Sequence, residues 1–285
     1  MSFLDLVPQP VTLPDGAVLH YVREGKGEPL IFVHGSIGDW RYWEAQWPVF
    51  TKAFDCIAIS LRYSHPNTNR MPSPDHSALS DAADILAVMD ALGLSTAHLL
   101  GTSYGAFAAL GVATRAPERI TSFVAVEPPM LKYAEMFEDT APVVRAFRES
   151  TVAPARAAFE RGDDMAAIET MTGGISETTM TALDDEVRRR RLQNLESAKR
   201  VSLSSDEFPL IPPEDIAGLT MPHLLVVGEK TGAIFRATYS GLTRVAKNAQ
   251  TAQVPGGTHN LPVDSAAPFN EIALAFLTST SQPSA

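Results

Sequence analysis

Ala97-His98-Leu99-Leu100-Gly101-Thr102-Ser103-Tyr104-Gly105-Ala106-Phe107-Ala108-Ala109-Leu110 runs from an apolar strand-like segment straight into a helix-like one, with a G-x-S-x-G pentapeptide at the junction. A serine on so sharp a strand-to-helix turn is held in a strained backbone conformation that lifts its hydroxyl above the sheet edge. Such a turn needs small residues two positions either side, which Gly101 and Gly105 supply. The pentapeptide alone would equally describe a plain Gly-Ser turn. It is the strand before and the helix after that make Ser103 a candidate nucleophile.

Working outward, short β-branched or apolar runs alternate with longer amphipathic stretches, the pattern of a mostly parallel sheet covered by helices on both faces. Val11-Thr12-Leu13 and Val18-Leu19-His20-Tyr21-Val22 flank the turn tripeptide Pro14-Asp15-Gly16 and predict an opening hairpin. Leu30 to Val33, Cys56 to Ser60, Leu99-Leu100, Ser122 to Val126, Leu224 to Val227 and Thr251 to Val254 follow as core strands. Ala82, Ile85, Leu86, Met89 and Leu92 recur at helical spacing, ended by Gly93. The helix after Ser103, rich in Ala and Gly, stops before Pro117.

From about Met130 to Phe208 this rhythm gives way to helical stretches such as Ala141 to Glu149 and Ala153 to Arg161, with no convincing strand. The interval reads as a helical cap (130–208) inserted between two parts of one core, residues 1–129 and 209–285. Within it, Asp184, Asp185 and Glu186 stand four residues before Arg188, Arg189 and Arg190, as on a solvated helix laced by side-chain pairs, a reading preferred to an anion site. Residues from Thr280 to Ala285 read as a frayed tail.

The chain has 285 residues, 45% hydrophobic, and 23 basic against 33 acidic side chains give a net charge of −10. Such a surface repels phosphate, and no basic patch is interleaved with aromatics, so nucleic acid is not an expected partner. Cys56, the lone cysteine, has no partner for a disulfide and reads as a small buried hydrophobe. With no signal-like N-terminus and no run approaching a membrane span, the expectation is a cytoplasmic protein with a small-molecule substrate and no membrane partner. A homodimer is compatible with these features. No metal-ligand spacing or phosphate loop calls for a cofactor.

A serine hydroxyl is a poor nucleophile at neutral pH, so acyl transfer needs a base to take its proton and a third group to orient that base. Val254-Pro255-Gly256-Gly257-Thr258-His259-Asn260 places His259 in a Gly-rich loop just past the last predicted strand, where it can bend back across the sheet edge. His20, His98 and His223 sit in or beside strands, and His65 and His76 in a Pro-rich loop, where structural or surface roles suffice. His34, in Phe32-Val33-His34-Gly35-Ser36, reads as shaping a loop that carries oxyanion donors. The backbone N–H groups of Ser36 and Tyr104 are the candidate donors, the second because it opens a helix whose first amides are free and whose dipole favours an anion. The tyrosine side chain needs only to pack.

Taken together, His34-Gly35 after a strand, Ser60-Leu61-Arg62 after the next, Gly101 to Gly105 and a late His259 resemble the α/β-hydrolase superfamily over nearly the whole chain. The resemblance implies an α/β-hydrolase fold, a mostly parallel eight-stranded sheet flanked by helices, and a serine-type triad. It does not name a substrate, because function lives in sites grafted on folds. Members commonly carry their acid three residues after a glycine beyond the strand at Leu224 to Val227. Here Gly228-Glu229-Lys230 is followed by Thr231, which cannot hold an imidazolium. Glu127, closing the strand Ser122 to Val126 before Pro128-Pro129, is the favoured acid, and some members place theirs on this strand. Glu229, Asp264 and a triad without a strong acid remain as alternatives.

Trp40, Trp43 and Trp47 fall on one helical face and read mostly as core, with Trp40 nearest the pocket; Met130, Tyr133 and Leu261 are further lining candidates from position alone. Arg62 reads as structural. The resulting expectation is a serine hydrolase of a small to medium carboxylic ester, lactone or related acyl compound. Its rivals are a hydrolase of carbon–carbon bonds in vinylogous diketones, a cofactor-free oxygenase or perhydrolase, and a binding protein on the same fold.

Overall fold

The strands are β1 (Gln9–Thr12), β2 (Val18–Gly25), β3 (Pro29–Val33), β4 (Asp55–Ile59), β5 (Ala97–Thr102), β6 (Ile120–Val126), β7 (His223–Gly228) and β8 (Gln250–Val254), seen in a computed structural model that describes residues 2–70 and 76–281. They form one eight-stranded sheet in the order β1-β2-β4-β3-β5-β6-β7-β8. The expected hairpin pairs β1 with β2, and β2 runs antiparallel to β4; every later pairing is parallel.

Helices around and between them are α1 (Trp47–Phe50), α2 (Ala78–Ala91), α3 (Tyr104–Arg115), α4 (Leu131–Glu135), α5 (Ala141–Phe147), α6 (Ala153–Glu160), α7 (Asp164–Ser176), α8 (Asp185–Gln193), α9 (Leu195–Leu203), α10 (Pro213–Ala217), α11 (Ala233–Val245), α12 (Leu261–Asp264) and α13 (Ala266–Thr280). Thr280, the first residue of the expected tail, therefore ends a helix; residues 282–285 lie outside the described part.

The period-two geometry of strands explains why the central ones read as unbroken apolar runs. Ile31, Val33, Ile57, Ile59, Leu99, Phe123 and Ala125 point to one face, where Ala82, Ile85 and Met89 of α2 and Phe107 and Leu110 of α3 meet them. Leu30, Phe32, Cys56, Ala58, Leu100, Val124 and Val126 point to the other, against Trp43, Trp47, Phe50, Phe269 and Leu277. Burying a side chain of this size is worth about 1.5–3 kcal/mol, so the sheet carries most of the fold's apolar gain.

The chain leaves β3 for β4 on one side and returns to β5 on the other, so the loops after β3 and β5 diverge at a topological switch point. Close backbone approach brings these loops together. A Cβ on Gly105 would sit 2.3 Å from the Val33 carbonyl oxygen, and one on Gly101 would sit 2.5 Å from that of Gly105.

Between β6 and β7 the described residues are all helix and connection. The two helices expected at Ala141 to Glu149 and Ala153 to Arg161 join through one π turn, Arg148–Val152. Pro154 has no N–H to offer a carbonyl four residues back, and the ladder widens just before it. Phe159, Ile168, Met171, Met180 and Ala198 give α6, α7 and α9 a small apolar cluster of their own. No helix among the described residues is long and apolar enough to cross a membrane.

Candidate active site

Register brings the chemistry to one edge. Thr102 pairs with Val126 and Val126 with Val226, while Gly228 pairs with Val254, so β5, β6, β7 and β8 end level and the residues that follow them share that edge. Ser103 follows Thr102 at φ 51°, ψ −120°, a conformation that costs a non-glycine residue about 1–3 kcal/mol. Its N–H donates to the Val126 carbonyl at 2.8 Å, which ties the turn to the neighbouring strand. Glu127 also takes a positive φ, 46°, and its N–H donates to the Val226 carbonyl at 3.1 Å. That turn aims its side chain along the edge toward β7 and β8.

The Glu127 carboxylate is fully buried and fully hydrogen-bonded. Oε2 accepts from His259 Nδ1 at 2.6 Å and from the Thr231 hydroxyl at 2.8 Å, while Oε1 accepts the Gly228 N–H at 2.7 Å. With Nδ1 donating to the carboxylate, His259 keeps Nε2 as its acceptor. Phe235 of α11 stacks on the imidazole, ring centroids 3.4 Å apart and planes within 10°. The other acids are engaged elsewhere: Glu229 accepts the Gly256 N–H at 2.7 Å, and Asp264 accepts the Thr258 hydroxyl. Thr231, at the position where the commoner acid would stand, buttresses Glu127 instead.

Ser103, His259, Thr102 and Ser36 face a cavity of about 640 Å³. The Ser103 hydroxyl and the imidazole share it without a hydrogen bond closing between them. On its far side Ser103 also borders a smaller, mostly apolar pocket of about 100 Å³, with Ser36, Tyr104, Leu131, Phe208 and Phe235 in its wall. The Ser36 amide has no protein acceptor among the described residues, and that of Tyr104, first in α3, has no intrahelical one. Gly35 lies against the nucleophile turn: a Cβ there would stand 3.5 Å from the Ser103 Cβ, an ordinary packing distance. His34 braces the same loop: Nδ1 donates to the Gly35 carbonyl at 2.7 Å and Nε2 accepts the Leu61 N–H at 3.0 Å. Burial pushes its pKa down, against the pull of the Gly35 carbonyl, so the ring is neutral.

Tyr104 turns its side chain away from the serine. Its hydroxyl donates to Asp81 Oδ2 at 2.6 Å, beside His76, whose Nε2 lies 2.8 Å from the same carboxylate. Arg62 is structural, forked onto Asp84 at 2.5 and 2.7 Å.

The four residues expected to line the pocket lie elsewhere. Trp40 packs on Phe3 at 5.0 Å within the tryptophan cluster, because the short helix it opens turns that face to the sheet. Met130 and Tyr133 are buried over the opposite sheet face, the tyrosine hydroxyl donating to the Ile211 carbonyl at 2.9 Å, and Leu261 packs with Val254 and Phe269. The cavity walls are instead Tyr42, Ile175, Leu183, Val187, Val263 and a set of polar and charged side chains that includes Arg191. Burial raises the Tyr42 hydroxyl well above its ordinary pKa, which keeps it a neutral donor. Among the described residues no three His, Cys, Asp or Glu side chains converge as a metal site.

Residues 28–265 match the family described as the alpha/beta hydrolase fold. Among curated relatives, the chain is 26% identical over 254 residues to a dihydrolipoyllysine-residue acetyltransferase component of an acetoin cleaving system from Pseudomonas putida. That alignment covers 88% of this chain but only 64% of the relative. It is also 26% identical over 256 residues to an N-formylmaleamate deformylase from Pseudomonas putida KT2440, covering 88% and 89% of the two chains. Among solved structures, a thermophilic esterase from Thermogutta terrifontis superposes with a TM-score of 0.76 at 18% identity, over 97% of this chain and 100% of that one, a likeness of fold alone. The chain is a member of the α/β-hydrolase family.

Proposed function

We propose that the protein is a serine hydrolase that cleaves a small to medium carboxylic ester, lactone or related acyl compound through a Ser103-His259-Glu127 triad. The observation that carries this reading is the buried 2.6 Å contact between His259 Nδ1 and Glu127, beside a strained serine opening on the same cavity. Hydrogen bonds between catalytic groups are often long in ligand-free enzymes and tighten only in the complex.

On binding, Nε2 of His259 takes the Ser103 proton as Oγ attacks the substrate carbonyl, and Glu127 stabilises the imidazolium. The Ser36 and Tyr104 amides hold the oxyanion, each worth about 3 kcal/mol to the barrier. The imidazolium then protonates the leaving alcohol, giving an acyl-serine. A water, deprotonated by His259, attacks that ester; collapse releases the acid and returns the proton to Ser103. The helices of residues 130–208 act as a cap that covers the site and selects substrates. That the chain aligns over most of its length with a relative named as a deformylase supports hydrolysis of an acyl group.

A fluorophosphonate probe tests the reading. One equivalent of label should appear in the intact mass and map to Ser103, and Ser103→Ala should lose both label and ester turnover. Unlabelled wild type, or full activity in Ser103→Ala, refutes it.

A further inference from the structure

Four consecutive arginines, Arg188 to Arg191, lie on α8, and the helix itself separates the last from the others. Arg188 pairs with Asp185, and Arg189 and Arg190 both reach Glu186 at 2.7 Å. The positions three and four residues before Arg191 are Arg188 and Val187, so no acid on its own helix can meet it. Arg191 turns into the cavity that holds Ser103 and His259. There one Nη donates to the Thr172 hydroxyl at 2.8 Å and the other to that of Ser176 at 3.4 Å. Both acceptors are neutral and come from α7. Thr172 spends its own proton toward Met180 Sδ, 3.3 Å away, so its oxygen is committed to accepting.

The other arginines of this cavity are neutralised. Arg41 is forked onto Asp39 at 2.6 and 2.8 Å, and Arg190 has Glu44 at 3.4 Å besides Glu186. Arg191 has no ion pair with any described residue. Burial works against its charge and lowers its pKa, while the nearby Tyr42 favours the charge. A guanidinium carries five N–H donors and stays charged in proteins, so a half-buried one with two neutral acceptors has donors left for an anion. A buried charge without a partner is costly, and a site of this kind is ready for a ligand that supplies one.

Resting on the hydrolase reading, we infer that Arg191, braced by Thr172 and Ser176, binds a carboxylate on the substrate, so that the scissile acyl compound is a monoanion. One uncompensated cation matches one negative charge, and the planar fork matches a carboxylate. A dianion such as a phosphate monoester would meet Glu44 and Asp264 in the same cavity. Ile175, Leu183, Val187 and Val263 supply apolar wall for the hydrocarbon between carboxylate and scissile carbonyl.

The test reads binding without turnover. Monomethyl succinate, glutarate and adipate are titrated by calorimetry into Ser103→Ala protein, each against its neutral dimethyl ester. At least one monoester should bind about tenfold more tightly than its diester. Adding Arg191→Gln should reduce that preference to about twofold or less, and Arg191→Lys, which keeps the charge but not the fork, should recover part of it. Equal affinity of mono- and diesters, no measurable binding of any monoester, or a preference that survives Arg191→Gln overturns the assignment. An unlabelled Ser103 would refute the hydrolase while leaving this preference measurable; a labelled Ser103 with no preference would refute only the carboxylate site.

Discussion

Two walls enclose the cavity, and they are built on opposite plans. At the sheet edge the polar atoms close on one another: Glu127 accepts three hydrogen bonds, His259 is clamped between that carboxylate and the face of Phe235, and His34 ties its own loop, through the Gly35 carbonyl, to the Leu61 N–H after β4. The helical wall is docked on the segment after β3, where the Asp39–Arg41 pair meets Asn194 and Gln193, and it leaves Arg191 with neutral acceptors only. Edge geometry comes from strand register and from glycines that allow backbone contact. The helical wall rests on side chains that can be exchanged without disturbing the sheet. Rate should therefore depend on the first wall, and the choice of substrate on the second.

Substitutions at the edge are the strongest way to break this contrast. His259→Ala should lower kcat about a millionfold while KM for an ester changes little, because the base acts on the transition state. A large rise in KM at near-normal kcat would put the imidazole in binding instead. Where the helical wall meets the segment after β3, Asp39→Ala strands a mostly buried Arg41 and removes an acceptor from Asn194, whose amide donates to Asp39 at 2.7 Å. Burial works to raise the Asp39 carboxyl, but the bonds from Arg41 and Asn194 outweigh it and hold its pKa low. The variant should lose about 3 kcal/mol in urea unfolding; a loss within about 0.5 kcal/mol would mean the pair does not anchor the wall.

Thr231→Val removes one of three bonds to Glu127 and should cost about tenfold in kcat, the equivalent of one buried hydrogen bond to a charged group. No change would mean that the Gly228 amide alone holds the carboxylate. The smallest effect is on pH dependence. Burial depresses the His34 pKa, so on acidification the unfolded chain takes up that proton first. The stability it contributes is complete above pH ~6.5, falls as pH drops below that value, and levels off under the lower folded pKa. Urea titrations should show this loss in wild type and a smaller one in His34→Gln; equal losses would exclude His34 as the source.

The same two walls differ in how far sequence reveals them. Strand placement, the turn at Ser103 and the late histidine loop are local patterns, and β5 with its flanks could be read from residues 97–110. Glu127 was favoured over Glu229 as the residue closing β6 before two prolines, and its carboxylate contacts His259. Thr231 looked like the lack of an acid, and only its bond to Glu127 gives it a role. Trp40, Met130, Tyr133 and Leu261 were placed by nearness in sequence, which does not say which way a short helix turns its face. Arg191 was hidden inside a run that reads as solvated; the missing acid three or four residues earlier was the available signal.

The relay through Glu127 is read most directly from kcat for ester hydrolysis in Glu127→Gln beside Glu229→Gln. By analogy with loss of the orienting acid in other triads, kcat should fall about ten-thousandfold in the first and change little in the second. Near-normal kcat in Glu127→Gln, or the larger loss in Glu229→Gln, would contradict that relay.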